Sequence, residues 1–147
     1  MDLKKKEKTV KIIGNAEIAL ARLEENIKSF ESLESKIKEE PITRENFLSF
    51  LRNEVESVTN DLPEKGALLV KHMDKYRIYI GFLYDRSEQE ISLVHEIYHA
   101  LYDSLDWKKE IENKIETEAK RFYDENKDFV RNIYSKLADS GIDPKSL

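Results

Sequence analysis

Between Ile91 and Leu101 the chain reads Ile-Ser-Leu-Val-His-Glu-Ile-Tyr-His-Ala-Leu, and from Leu93 to Leu101 its one charged residue is Glu96. A helix that is apolar all round must be covered on several faces, so this segment predicts a central helix on which the rest of the fold packs. Ser87 as N-cap with Glu90 three residues on is a capping box that would open it. Inside that apolar surround sit His95, Glu96 and His99. Polar residues at odds with their environment tend to mark functional sites.

The flanking pattern predicts an α+β fold, mostly helical, with a small antiparallel β-hairpin or sheet packed on this helix. Residues 10–39 read as a long helix, with Ile13, Ala16, Leu20, Leu23, Ile27, Phe30 and Ile37 at 3–4 spacing, ended by Pro41. Thr43 caps a second helix with the stripe Phe47, Leu48, Leu51, Val55 and Val58. Asn60 to Gly66 is a turn region. Ala67 to His72 and Tyr76 to Phe82, joined by Met73-Asp74-Lys75, predict a β-hairpin with Tyr76, Ile78 and Ile80 on one face and Arg77 and Tyr79 on the other. A last helix over 106–139 carries Ile111, Ile115, Phe122, Phe129, Ile133 and Leu137. Gly141 and then Asp143-Pro144 stop it. At 147 residues the expectation is a single domain over 1–147, with an N-terminal helical pair over 10–60 and a hairpin plus core over 67–140.

Composition narrows the function classes. Net charge is −5 with both signs interspersed, which argues against a nucleic-acid-binding face. The basic run Lys4-Lys5-Lys6 with Lys8 reads as a solvated end. There are no cysteines, so a metal would have to use His, Asp or Glu. No leader-like apolar run and no membrane-length span is evident, and the expectation is a cytoplasmic protein without a membrane partner.

His95-Glu96-Ile97-Tyr98-His99 is an H-E-x-x-H sequence. Two histidines four apart on a helix lie one turn apart on one face and can converge on one ion, while the glutamate can hold an attacking water. A catalytic zinc takes three protein ligands, so one is missing. His72, the other histidine, reads as a surface or packing residue of the hairpin. The last helix is rich in carboxylates, and its stripe steps 111, 115, 122 with 118 as the missing step. Glu118 therefore falls in the buried seam and is the first choice as third ligand, while Glu116 faces water. Glu112, nearer the stripe than Glu116, is the second choice.

Glu118-Ala119-Lys120-Arg121-Phe122 resembles the E-A-x-x-F signature of ImmA/IrrE-like metallopeptidases. In that family it follows an H-E-[LI]-x-H-A-L motif, which corresponds here to His95–Leu101. The similarity spans roughly residues 67–125, and Tyr98 stands where the family usually has glycine. The resemblance implies a minimal gluzincin-like fold, Zn2+ held by His95, His99 and Glu118, Glu96 as general base, and a protein substrate, often a regulatory one.

The functional expectation is zinc-dependent hydrolysis of a protein or peptide substrate. One hairpin strand, Tyr76 to Ile80, would hold the peptide, and Tyr79, Tyr98, Tyr102, His72 or Arg77 would support the oxyanion. Asp103 could orient the His99 ring, although it reads more readily as a helix-end surface residue. The alternative is a non-catalytic metal-binding or protein-interaction module on the same scaffold. The apolar stripe of the first helix also admits a homodimer.

Overall fold

The computed structural model describes residues 27, 28, 30–102 and 109–147. The chain divides into two units, Met1–Glu39 and Glu40–Leu147, a boundary that falls between the two helices expected over 10–60. In the first unit, residues 30–39 form helix α1. It stops ahead of Pro41, whose ring disfavours helical backbone in the preceding residue. The earlier turns of the expected helix, and with them most of the stripe expected to dimerise, lie outside the described residues.

The second unit begins with α2 (Arg44–Glu54), capped by Thr43, whose hydroxyl accepts the Asn46 N–H at 3.1 Å. Phe47, Phe50 and Leu51 are its buried face. The helix ends at Glu54, and Val55–Leu62 is a strand, β1, where the sequence pattern extended the helix stripe through Val55 and Val58. A β-bulge gives this strand its helix-like spacing. Val55 pairs with Tyr76 and Ser57 with Arg77, so two steps on β1 match one step on the partner strand. The extra residue lets Val55 and Val58, three apart, both turn to the core, which imitates helical spacing.

Strands β2 (Ala67–His72) and β3 (Lys75–Gly81) form the expected hairpin. Its loop is shorter than expected, because Lys75 already pairs with His72 and only Met73 and Asp74 make the turn. Both have positive φ, 51° and 40°, as a primed turn requires to match strand twist. The strand order is β1-β3-β2, with β1 parallel and β2 antiparallel to β3. The sheet is therefore mixed rather than purely antiparallel. Ile78 and Ile80 are fully buried while Arg77 pairs with Glu56 at 2.9 Å on the other face, the alternation expected for this strand.

Gly81 closes the sheet end. Its N–H donates to the Gly66 carbonyl at 2.7 Å, and a Cβ there would lie 2.0 Å from the Glu64 carbonyl oxygen. No side chain fits without moving backbone. Gly81→Ala is accordingly expected to lower stability by about 1–3 kcal/mol. A chemical denaturation midpoint unchanged from wild type would contradict this close packing.

Helix α3 (Arg86–Leu101) is central, packing against α2, β2, β3, α4 and α5. Its cap is Asp85, not Ser87: the Asp85 carboxylate accepts the Glu88 N–H at 2.9 Å. Asp85 and Glu88 have the same three-residue spacing as Ser87 and Glu90, and the earlier pair opens the helix. Glu90 is thereby released from capping. It is fully buried, accepting the Tyr123 hydroxyl at 2.8 Å and Arg131 Nε at 3.2 Å. These bonds meet the polar demand of a buried carboxylate and tie α3 to the elements that follow.

The expected last helix is two helices, α4 (Lys109–Glu125) and α5 (Lys127–Tyr134), followed by one π turn over Ser135–Asp139. The break is Asn126, with φ −136° and ψ 33°. Its amide donates back to the Phe122 carbonyl at 2.8 Å and accepts Arg44 Nε at 2.6 Å. Local side-chain bonding of this kind competes with helix continuation. Phe47 packs into the break, 5.3 Å from the Phe122 ring centroid and 5.9 Å from that of Phe129. Gly141, at φ 62°, takes the left-handed position expected of it. Among the described residues no helix is long and apolar enough to cross a membrane.

Candidate metal centre

Helix α3 places His95 and His99 on one face, and the first turn of α4 brings Glu112 against them. His95 Nε2 lies 3.0 Å from His99 Nε2 and 3.2 Å from Glu112 Oε2. His99 Nε2 lies 2.9 Å from Glu112 Oε1. A tetrahedral zinc with bonds of about 2.0–2.1 Å sets neighbouring donors about 3.3 Å apart. The three distances are thus slightly shorter than zinc would set them, and a shift of a few tenths of an ångström suffices. Two imidazoles and one carboxylate are also a donor set that zinc accepts. Among the described residues this is the one group of three or more His, Asp or Glu whose donor atoms converge.

Electrostatics favour metal-competent protonation. His95 is half-buried, and desolvation, followed by the neighbouring His99, lowers its pKa below the usual imidazole value, against the pull of Glu112. A neutral imidazole is the form that ligates. Glu96 is pushed up to about 7, mainly by burial; the Glu112 charge adds to this and His99 opposes it. The helix therefore holds a carboxyl group beside the histidines that is poised to exchange a proton near neutrality.

These residues line a cleft of about 420 Å³ whose opposite wall is Ala67, Leu68 and Leu69 of β2. A larger cavity, about 510 Å³, runs along β1 and residues 137–144. It contains no histidine and none of the converging donors, so size is a poor guide to the chemistry here.

Glu118, the first-choice third ligand from sequence, is not part of this group. It is buried as the helix periodicity required, at 8% exposure, but Lys114 Nζ at 3.4 Å and Arg121 Nη1 at 3.1 Å hold its carboxylate. Six residues separate it from Glu112, about 9 Å along the helix and about 240° around it. Glu112, the second choice, faces the histidines. Glu116 is exposed and pairs with Lys120, as expected.

The expected oxyanion residues are also placed elsewhere. Arg77 and His72 both approach Glu56. Tyr98 is buried with its ring against Tyr102 and Phe122, and the Tyr102 hydroxyl donates to the Glu40 carbonyl at 3.0 Å. Tyr79 pairs with Leu68 across the sheet. None of the five lines the cleft. Asp103 lies outside the described residues. Nor can β3 be the peptide-binding strand, because β1 and β2 flank it on both sides. The edge strand at the cleft is β2, which no sequence signal separated from its hairpin partner.

Comparison with protein-family models, with curated proteins and with solved structures finds no match to this chain.

Proposed function

We propose that this protein is a zinc-dependent peptidase of gluzincin-like design, acting on a protein or peptide substrate. The observation that carries the reading is the convergence of His95, His99 and Glu112 beside the half-buried Glu96, in a cleft bounded by an edge strand. The similarity of His95–Leu101 to the H-E-[LI]-x-H-A-L motif supports the same class; Glu112, not the Glu118 of the E-A-x-x-F resemblance, stands as the third ligand.

His95, His99 and Glu112 would hold the ion. When bound, zinc supplies Lewis-acid chemistry, activating water and polarising a carbonyl. Glu96 accepts the proton of the attacking water and delivers it to the leaving amine. The edge of β2 aligns an extended substrate by main-chain hydrogen bonds. The buried wall of α3 keeps bulk solvent from the back of the cleft, which strengthens these polar interactions.

The test is metal analysis of protein purified without chelator, together with digestion of unstructured protein substrates. One zinc per chain and chelator-sensitive cleavage are expected. Protein that carries no zinc and takes up none would sink the metal reading. Stoichiometric zinc without cleavage of any bound substrate would make the chain a non-catalytic metal-binding module.

A further inference from the structure

The edge of β2 can be read residue by residue. A two-residue hairpin loop is closed by a hydrogen-bonded pair, here His72 and Lys75. Hydrogen-bonded pairs alternate along an antiparallel ladder, so Val70–Arg77 and Leu68–Tyr79 also exchange bonds within the hairpin. Ala67, Leu69 and Lys71 therefore direct their N–H and C=O groups to the open side of β2. Side chains alternate across the same strand. Those of Ala67 and Leu69 share the face of the buried Ile78 and Ile80, toward α3. Leu68 is on the opposite face, 48% exposed, and still lines the cleft. Its cross-strand neighbour Tyr79 and its same-face neighbour Val70 are half-buried, so an apolar strip runs along the outer face beside the open edge.

We propose that Leu68 is a specificity-determining residue, selecting peptides with an aliphatic or aromatic side chain at the position that lies beside it when the peptide adds to β2. This rests on the peptidase reading only for the location of the scissile bond; the strand docking is independent of catalysis. The peptide backbone exchanges hydrogen bonds with Ala67 and Leu69. The side chains of the residues on either side of the selected one then point inward, toward His95 and Glu96. The selected side chain points outward and completes the strip begun by Leu68 and Val70. A directly opposed apolar pair on a sheet contributes up to about 1 kcal/mol, which corresponds to about fivefold preference.

The experiment is selection of a displayed random decapeptide library on the full chain carrying Glu96→Gln and loaded with zinc. Enrichment of Leu, Ile, Val, Phe or Tyr at one fixed position, by about fivefold, is expected. Adding Leu68→Glu should turn that position to Lys or Arg, and Leu68→Ser should flatten it, with zinc content and melting temperature unchanged in both. The residue is half exposed, so both variants should fold. The same apolar preference in Leu68→Glu, or no enriched position in the first protein, would overturn the inference. Cleavage of the selected peptides by wild type is scored separately. Selection without cleavage removes the peptidase reading and leaves the docking strand. Cleavage indifferent to residue 68 does the reverse.

Discussion

Glu112→Ala is expected to strip the protein of zinc, whereas Glu118→Ala is expected to retain it. Glu112 Oε1 and Oε2 reach the two imidazole Nε2 atoms at 2.9 and 3.2 Å, while the Glu118 carboxylate is held by Lys114 and Arg121. Removing an outer-shell partner of a metal site already costs about 10–100-fold in affinity, and loss of a direct ligand should exceed that. His95→Ala and His99→Ala should match Glu112→Ala. Glu118→Ala frees two cations that are themselves partly exposed, which carries a modest stability cost. Competition titration with a zinc indicator measures all four variants on one scale. The opposite ranking, with zinc lost in Glu118→Ala and kept in Glu112→Ala, would return the third ligand to the position that the E-A-x-x-F resemblance gives it.

Glu96→Gln should leave zinc affinity within a few-fold of wild type and lower hydrolysis by about 10²–10⁴-fold. The amide is close to isosteric with the carboxyl group, but it cannot take a proton from water. Glu96 is absent from the converging donors, so its replacement is expected to remove the proposed base and not a ligand. Burial that raises its pKa to about 7 also makes the neutral amide easy to accommodate. Single-turnover cleavage of a quenched fluorescent peptide is the appropriate readout. Undiminished cleavage by zinc-loaded Glu96→Gln would assign the proton transfer to another group.

Much of the architecture follows from local sequence physics. The near-uncharged run from Leu93 to Leu101 does form the central helix, and Thr43 caps α2 as expected. The hairpin follows from two runs rich in aliphatic and aromatic residues on either side of a short turn, and the inward Ile78 and Ile80 follow from the alternation within β3. Helical periodicity likewise put Glu118 in a buried seam, which is where it lies. What periodicity could not supply is the identity of a buried group's partner. Glu118 is satisfied by neighbours at i−4 and i+3, an arrangement visible in the sequence as Lys114 and Arg121 once a metal is not assumed. Glu112 faces the histidines because of how α4 crosses α3, a tertiary fact with no local signature. The bulge at Glu56 hid β1 by giving a strand helix-like spacing. Asn126 hid the break between α4 and α5, since nothing in the apolar stripe changes there. At each of these places tertiary packing outweighs local pattern.

The mixed order of the sheet also bears on how the chain reaches its native state. The β2–β3 hairpin closes over a two-residue loop, the kind of contact that forms in about 1–10 μs. Strand β1 precedes that hairpin yet pairs parallel with β3, so it must dock across the far side of an element completed after it is made. Such non-local pairing is entropically costly and late. The open edge of β2, the wall of the cleft, is thus available to a passing strand from the first moments of folding, before β1 has sealed the other side. Among the described residues, a hairpin that must wait for its parallel partner has an edge open to pairing with another copy of itself during synthesis.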